Sequence, residues 1–94
     1  MQVIKEYLKM LEIKYSNQAT KFLRKIVRAD AVRIRNKIRQ YAVNPSELKN
    51  QVKKLTNSPY YRLRVGDYRI IFTETGEIMK IEKIGNRGDI YKGV

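Results

Sequence analysis

The sequence predicts an α+β domain in which an N-terminal strand and a two-helix hairpin are followed by a three- to four-stranded antiparallel sheet. Three observations carry that prediction. Apolar residues in the first half recur at helical spacing, those after Pro59 alternate with polar ones, and Pro and Gly fall at the boundaries between segments. A chain of 94 residues buries roughly two-thirds of the surface it exposes when unfolded, enough for one core and no second domain.

Leu11, Ile13 and Tyr15 alternate with Glu12 and Lys14, which places a strand at 10–15 and leaves 1–9 as an N-terminal extension. The single domain therefore spans 10–94. Ser16 or Asn17 can cap a helix by accepting a backbone N–H bond, and Ala19, Phe22, Leu23, Ile26 and Val27 form its apolar stripe. This helix is expected to end near Arg28 or Ala29. Asp30 is the expected N-cap of a second helix with the stripe Ala31, Ile34, Ile38 and Tyr41, stopped by Asn44-Pro45. Ser46 to Thr56 is expected to be a turn or helical linker carrying Lys49, Lys53 and Lys54.

Tyr61-Arg62-Leu63-Arg64-Val65 alternates strictly, as a half-buried strand does, and Gly66-Asp67 fits a two-residue type II′ hairpin loop. That loop sets the register. Val65 pairs with Tyr68, Arg64 with Arg69, Leu63 with Ile70 and Arg62 with Ile71, so Arg62, Arg64 and Arg69 share one face with Ile71. Arg64 directly opposite Arg69 disfavours folding by a few tenths to about 1 kcal/mol, unless an anion sits between the two guanidinium forks. The plainer alternative has the arginines facing water or paired to Glu74 or Glu82. A further strand follows from Ile78 to Ile84, where Ile78, Met79, Ile81 and Ile84 break alternation and suggest a bulge or burial on both sides. Gly85-Asn86-Arg87-Gly88-Asp89 is expected to be a loop that brings Arg87, and then Tyr91, toward a ligand.

Composition limits the chemistry. The chain has no Cys and no His, so disulfides, thiolate metal sites, Ser-His-Asp and Cys-His activation and histidine acid–base catalysis are excluded. With 21 Lys and Arg against 9 Asp and Glu, the net charge is +12. Such a body favours a polyanionic partner such as nucleic acid, or an acidic protein, over a basic surface kept for solubility alone. Eight basic residues and one acid lie between Lys21 and Arg39, so Arg33, Arg35 and Lys37 are candidate phosphate contacts as well as ordinary solvated helix positions. Charges at Lys5, Glu6 and Lys9 interrupt any apolar leader core, and no run approaches a membrane span. A cytoplasmic location without membrane contact is the simplest expectation.

The segment Ser58-Pro59-Tyr60-Tyr61-Arg62-Leu63-Arg64-Val65-Gly66-Asp67-Tyr68-Arg69-Ile70-Ile71-Phe72, followed by Ile84-Gly85-Asn86-Arg87-Gly88-Asp89-Ile90-Tyr91, resembles the RelE/ParE superfamily of bacterial type II toxins. The resemblance spans about residues 10–92. It implies a microbial-ribonuclease-like fold and, in RelE-like members, metal-independent and cofactor-free cleavage of mRNA in the ribosomal A site. It also implies contact with mRNA and ribosomal RNA, and a cognate antitoxin that silences the toxin. Arg64, Arg69, Arg87 and Tyr91 are the catalytic positions it carries over; Arg62, Lys53, Lys54, Arg33, Arg35 and Lys37 are the RNA-binding candidates.

In the chemistry so implied, the ribose 2′-OH attacks the adjacent phosphate, Arg64 and Arg69 stabilise the growing charge, Arg87 assists the leaving 5′ oxygen, and Tyr91 orients a base. Many relatives have lysines where this chain has Arg62 and Arg64. Arginine, with a pKa above about 12, is a poor general base, so that role falls to Lys53, Lys54, Tyr91 or the ribosome. Two other functions fit the same resemblance: inhibition of DNA gyrase, as in ParE-like members, and RNA binding without catalysis.

Overall fold

The computed structural model describes residues 10–90. The expected extension at 1–9 and Tyr91 lie outside the described residues. In chain order the elements are β1 (Glu12–Tyr15), α1 (Asn17–Lys25), α2 (Arg28–Val43), a 3₁₀ turn (Pro45–Leu48), β2 (Val52–Lys54), β3 (Tyr61–Val65), β4 (Tyr68–Glu74) and β5 (Ile78–Asn86). The sheet order is β1-β5-β4-β3-β2. Strands β2 to β5 form an antiparallel meander, and β1 joins its edge parallel to β5, which makes the sheet mixed and five-stranded.

Ser16 is the cap of α1. Its Oγ accepts the Ala19 N–H at 3.1 Å and its hydroxyl donates to Glu82 O at 2.8 Å, so one side chain starts the helix and ties it to β5. Gln18 continues the seam by donating to Ile84 O at 2.8 Å and accepting from Ile84 N at 2.9 Å. These bonds satisfy backbone beside an irregularity: Ile71 pairs with Lys83 while Phe72 pairs with Ile81, leaving Glu82 as the extra residue of a bulge.

Three boundaries differ from expectation. α1 stops at Lys25, because the β-branched pair Ile26 and Val27 adopts extended backbone (ψ 169° and 134°) and turns the chain. α2 then begins at Arg28 with Val27, not Asp30, at its cap position, and Val27 makes no side-chain capping bond. Asp30 lies in the first turn, where a carboxylate suits the helix dipole, and its Oδ2 accepts the Tyr68 hydroxyl at 2.7 Å. The linker after Pro45 contains a strand. β2 has three residues, too few for alternation to show, and it is recognisable through its pairing with Tyr61–Leu63.

The helices cover one face of the sheet. Ala19, Leu23, Ile34, Ile38 and Tyr41 from the helices pack with Leu63, Val65, Ile70, Phe72, Met79, Ile81 and Ile84 from the strands. Phe72 stands at the centre with 0% exposure, stacked on Tyr61 at 5.4 Å and edge-to-face with Tyr41 at 5.0 Å between ring centroids. Tyr41 donates to Glu74 Oε1 at 2.6 Å. Burial and the neighbouring carboxylate both push the Tyr41 phenol well above its ordinary range.

Candidate functional site

The β3–β4 register is the one that the two-residue loop requires, pair for pair from Val65↔Tyr68 to Tyr61↔Phe72. Gly66 has φ +56° at the first loop position, as a type II′ turn demands. Arg62, Arg64 and Arg69 consequently lie together on the sheet face turned away from the helices. The Arg64 N–H is directed to the carbonyl of Gln51, just before β2, at 2.9 Å. Arg64 and Arg69 are therefore a non-hydrogen-bonded pair, the kind in which opposed side chains approach most closely. Lys53, opposite Arg62, and Lys83, opposite Ile71, extend the cationic face along β2 and β5.

The expected carboxylate partners are occupied elsewhere. Glu74 accepts from Tyr41 on the helical side, and Glu82 accepts from Thr73 at 3.3 Å and stands 3.7 Å from Lys80. Among the described residues no ion pair involves Arg62, Arg64 or Arg69. The Arg62 Nε is buried without a hydrogen-bond partner, and so is Gln51 Oε1. An unpaired buried donor costs about 1–3 kcal/mol, so folding stability does not account for this arginine.

Arg69 is held differently. One terminal nitrogen, Nη1, donates to Gly66 O at 2.8 Å and to Tyr68 O at 2.9 Å, folding the guanidinium against the hairpin tip. The loop of Arg87 reaches the same tip, because the Arg87 N–H donates to Asp67 O at 2.8 Å. Gly85 belongs to β5 and is buried, which corrects its expected place in the loop. It lies opposite Arg69, and a Cβ there would come within 3.0 Å of Ile90 Cδ1. Ile90 thus occupies the space a side chain at 85 would take, and this closes the turn that carries Arg87. Periodicity alone did not reveal that role for Ile90; the Gly85-to-Ile90 spacing was the available signal.

The structure separates the other candidates. Lys54 lies one register position beyond Lys53 and so on the opposite face, where its Nζ donates to Ser58 O at 2.7 Å and stands 5.6 Å over the Tyr61 ring. Arg33, Arg35 and Lys37 belong to the helical layer. Arg33 stands 3.8 Å from Asp30, Arg35 lies 5.2 Å over the Tyr15 ring, and Lys37 donates to Gln40 at 3.3 Å. Between β1 and α2 lies a groove of about 570 Å³ lined by Ile13, Tyr15, Val32, Arg35, Asn36 and Arg39. Burial there raises the Tyr15 phenol, while Arg35 opposes the shift.

Comparison with known proteins matches residues 13–91 to the family described as ParE toxin of type II toxin–antitoxin system. No curated protein sequence matches significantly. Among solved structures, the archaeal RelE–RelB complex from Pyrococcus horikoshii contains a chain 27% identical to this one, with a TM-score of 0.72 over 85% of this chain and 98% of that one. A chain of the RelB–RelE antitoxin–toxin complex from Methanococcus jannaschii is 24% identical, with a TM-score of 0.68 over 86% and 98%. YafQ from E. coli shares the fold at 21% identity and a TM-score of 0.64, over 83% and 94%.

Proposed function

The chain belongs to the ParE toxin family, within the RelE/ParE superfamily of type II toxins, and from that premise we propose that it is a ribosome-dependent endoribonuclease that cleaves mRNA in the A site. The observation that carries the reading is the sheet face turned away from the helices, where Arg62, Arg64 and Arg69 stand without carboxylate partners among the described residues and the Arg87 loop is bonded to the same hairpin tip. Guanidinium groups preorganised around a phosphate stabilise the transition state of 2′-OH attack more than its ground state, and they do so without a metal ion. Arg64 and Arg69 hold the phosphoryl oxygens, Arg87 faces the leaving 5′ oxygen, and Arg62 with Lys53 binds the flanking backbone. Of the two lysines considered as base, Lys53 stands on this face and can take the proton, whereas Lys54 is directed away from it. Tyr91 remains the candidate for stacking on a base.

Relatives RelE and YafQ occur in complexes with antitoxins, and we assign this chain a cognate antitoxin as well. Such a partner is acidic where it crosses the arginine face, since burying those charges unpaired is costly, and amphipathic where it packs. The groove between β1 and α2, lined by Ile13, Tyr15 and Val32 together with Arg35, Asn36 and Arg39, fits the amphipathic part.

The family match itself favours a second reading, inhibition of DNA gyrase by binding. Primer extension on a defined message in a reconstituted translation system separates the two. Codon-phased cuts that need both the protein and ribosomes support the nuclease. Absence of cuts together with trapped gyrase cleavage complexes supports the second reading.

A further inference from the structure

We propose that Asp30 and Tyr68 are positioning residues of the arginine face, locking the tip of the β3–β4 hairpin to the first turn of α2 and thereby fixing Arg69 and the Arg87 loop. The inference rests on the reading of that face as the phosphate-handling site. Its basis is a set of contacts that converge on four consecutive residues. From the helical side, Asp30 Oδ2 accepts the Tyr68 hydroxyl at 2.7 Å, and Asp30 Oδ1 stands 3.8 Å from Arg33. The Tyr68 ring also meets Phe22 edge-to-face at 5.9 Å. From the opposite side, the carbonyls of Gly66 and Tyr68 hold the Arg69 guanidinium, and the carbonyl of Asp67 holds the Arg87 N–H.

The geometry makes the tip a junction between two layers. Carbonyls 66 to 68 face the arginine loop only while the turn keeps its orientation, and a two-residue hairpin tip at the end of a sheet has few other restraints. Tyr68 spans the sheet edge. Its ring begins on the core face and its hydroxyl ends on a helix, so it transmits the position of α2 to the turn. Gly66 leaves room for this arrangement: a Cβ there would lie 3.1 Å from Arg33 Nη2 and would push Arg33 away from Asp30.

The test uses the whole chain and three substitutions. Tyr68→Phe keeps the ring against Phe22 and removes the bond; Asp30→Ala removes the acceptor; Asp30→Asn keeps an acceptor oxygen. Amide hydrogen exchange by NMR compares the Arg87 N–H with the Ser16 N–H, which bonds Ile81 O at 2.9 Å in the distant β1–β5 seam. Tyr68→Phe and Asp30→Ala are expected to speed exchange at Arg87 at least tenfold with Ser16 unchanged. The double variant should equal either single one, and Asp30→Asn should restore most of the protection. RNA cleavage by the first two variants is expected to lose about tenfold in kcat with KM within twofold.

Equal acceleration at both amides, or none at Arg87, overturns the proposal. Unchanged kcat in a variant whose Arg87 exchange has risen overturns it as well. Should the unsubstituted protein cleave no RNA, the nuclease reading falls, and the exchange ratio alone decides whether the pair positions the tip.

Discussion

Toward the helices, the central strands present Leu63, Val65, Ile70, Phe72, Met79, Ile81 and Ile84, each no more than 4% exposed. Away from the helices, the same strands present Arg62, Arg64, Arg69 and Lys83, joined by Lys53 of β2, and among the described residues Ile71 and Ile90 are the buried apolar residues outside the main core. Because side chains alternate at a period of two, one strand performs both jobs, and a change at one residue reaches the neighbouring job only through the backbone. Stability is concentrated on one face. The other carries like charges that oppose folding, and their arrangement makes sense with an anion present.

The largest break in this comparison comes from the core face. Phe72→Ala removes the ring between Tyr61 and Tyr41 and is expected to cost about 3–5 kcal/mol, with Leu63→Ala or Ile70→Ala at about 2–5 kcal/mol, read by urea unfolding. Full stability in these variants means the two faces are not as assigned. The outer face should respond in the opposite way. Arg69→Ala is expected to lower cleavage by about 10²–10³-fold, in line with removal of one charge-stabilising donor, while the unfolding midpoint stays close to that of the parent. A collapse of stability instead would make Arg69 a structural clamp of the turn and nothing more.

How far each face was legible follows from the physics of each signal. The hairpin register and the arginine face were readable because a Gly-Asp loop of two residues leaves one pairing, and that pairing assigns every residue from Tyr61 to Phe72 to a side. β2 was hidden because three residues carry no period. The start of α2 was misplaced because Asp30, a good capping residue, is used in three dimensions by Tyr68, 38 positions away. Local chemistry cannot report such a partner. The helix cations Arg35 and Lys37 matched the arginines in composition, yet they belong to the helical layer, a separation that charge counting does not register.

Two smaller effects sharpen the contrast. Tyr41, Tyr68 and Tyr15 all have phenols raised above the ordinary value of 10.0 in the folded state. A raised pKa means that the folded protein holds these protons more tightly, so their stabilisation is complete below pH 10 and is lost as pH rises above it. Thermal unfolding between pH 8 and 12 should show that decline. Tyr41→Phe, which itself costs about 1 kcal/mol through loss of the bond to Glu74, should make the decline shallower. An unaltered alkaline slope would remove Tyr41 from the account. At the lower end, Arg64→Thr relieves the charge opposite Arg69 and should stabilise the free protein by about 0.2–1 kcal/mol, more at low salt, while weakening RNA binding.

The most direct test sets the two basic surfaces against each other in one assay. Ribosome-dependent cleavage is compared for the parent, for Arg64→Ala/Arg69→Ala on the sheet face turned away from the helices, and for Arg35→Ala/Lys37→Ala/Arg39→Ala on the helical layer, with thermal unfolding of each recorded. The account predicts that the sheet-face pair loses its codon-phased cuts while remaining folded, and that the helical triple retains them within severalfold. Cuts that persist in the folded sheet-face variant, or that vanish only in the helical one, contradict it.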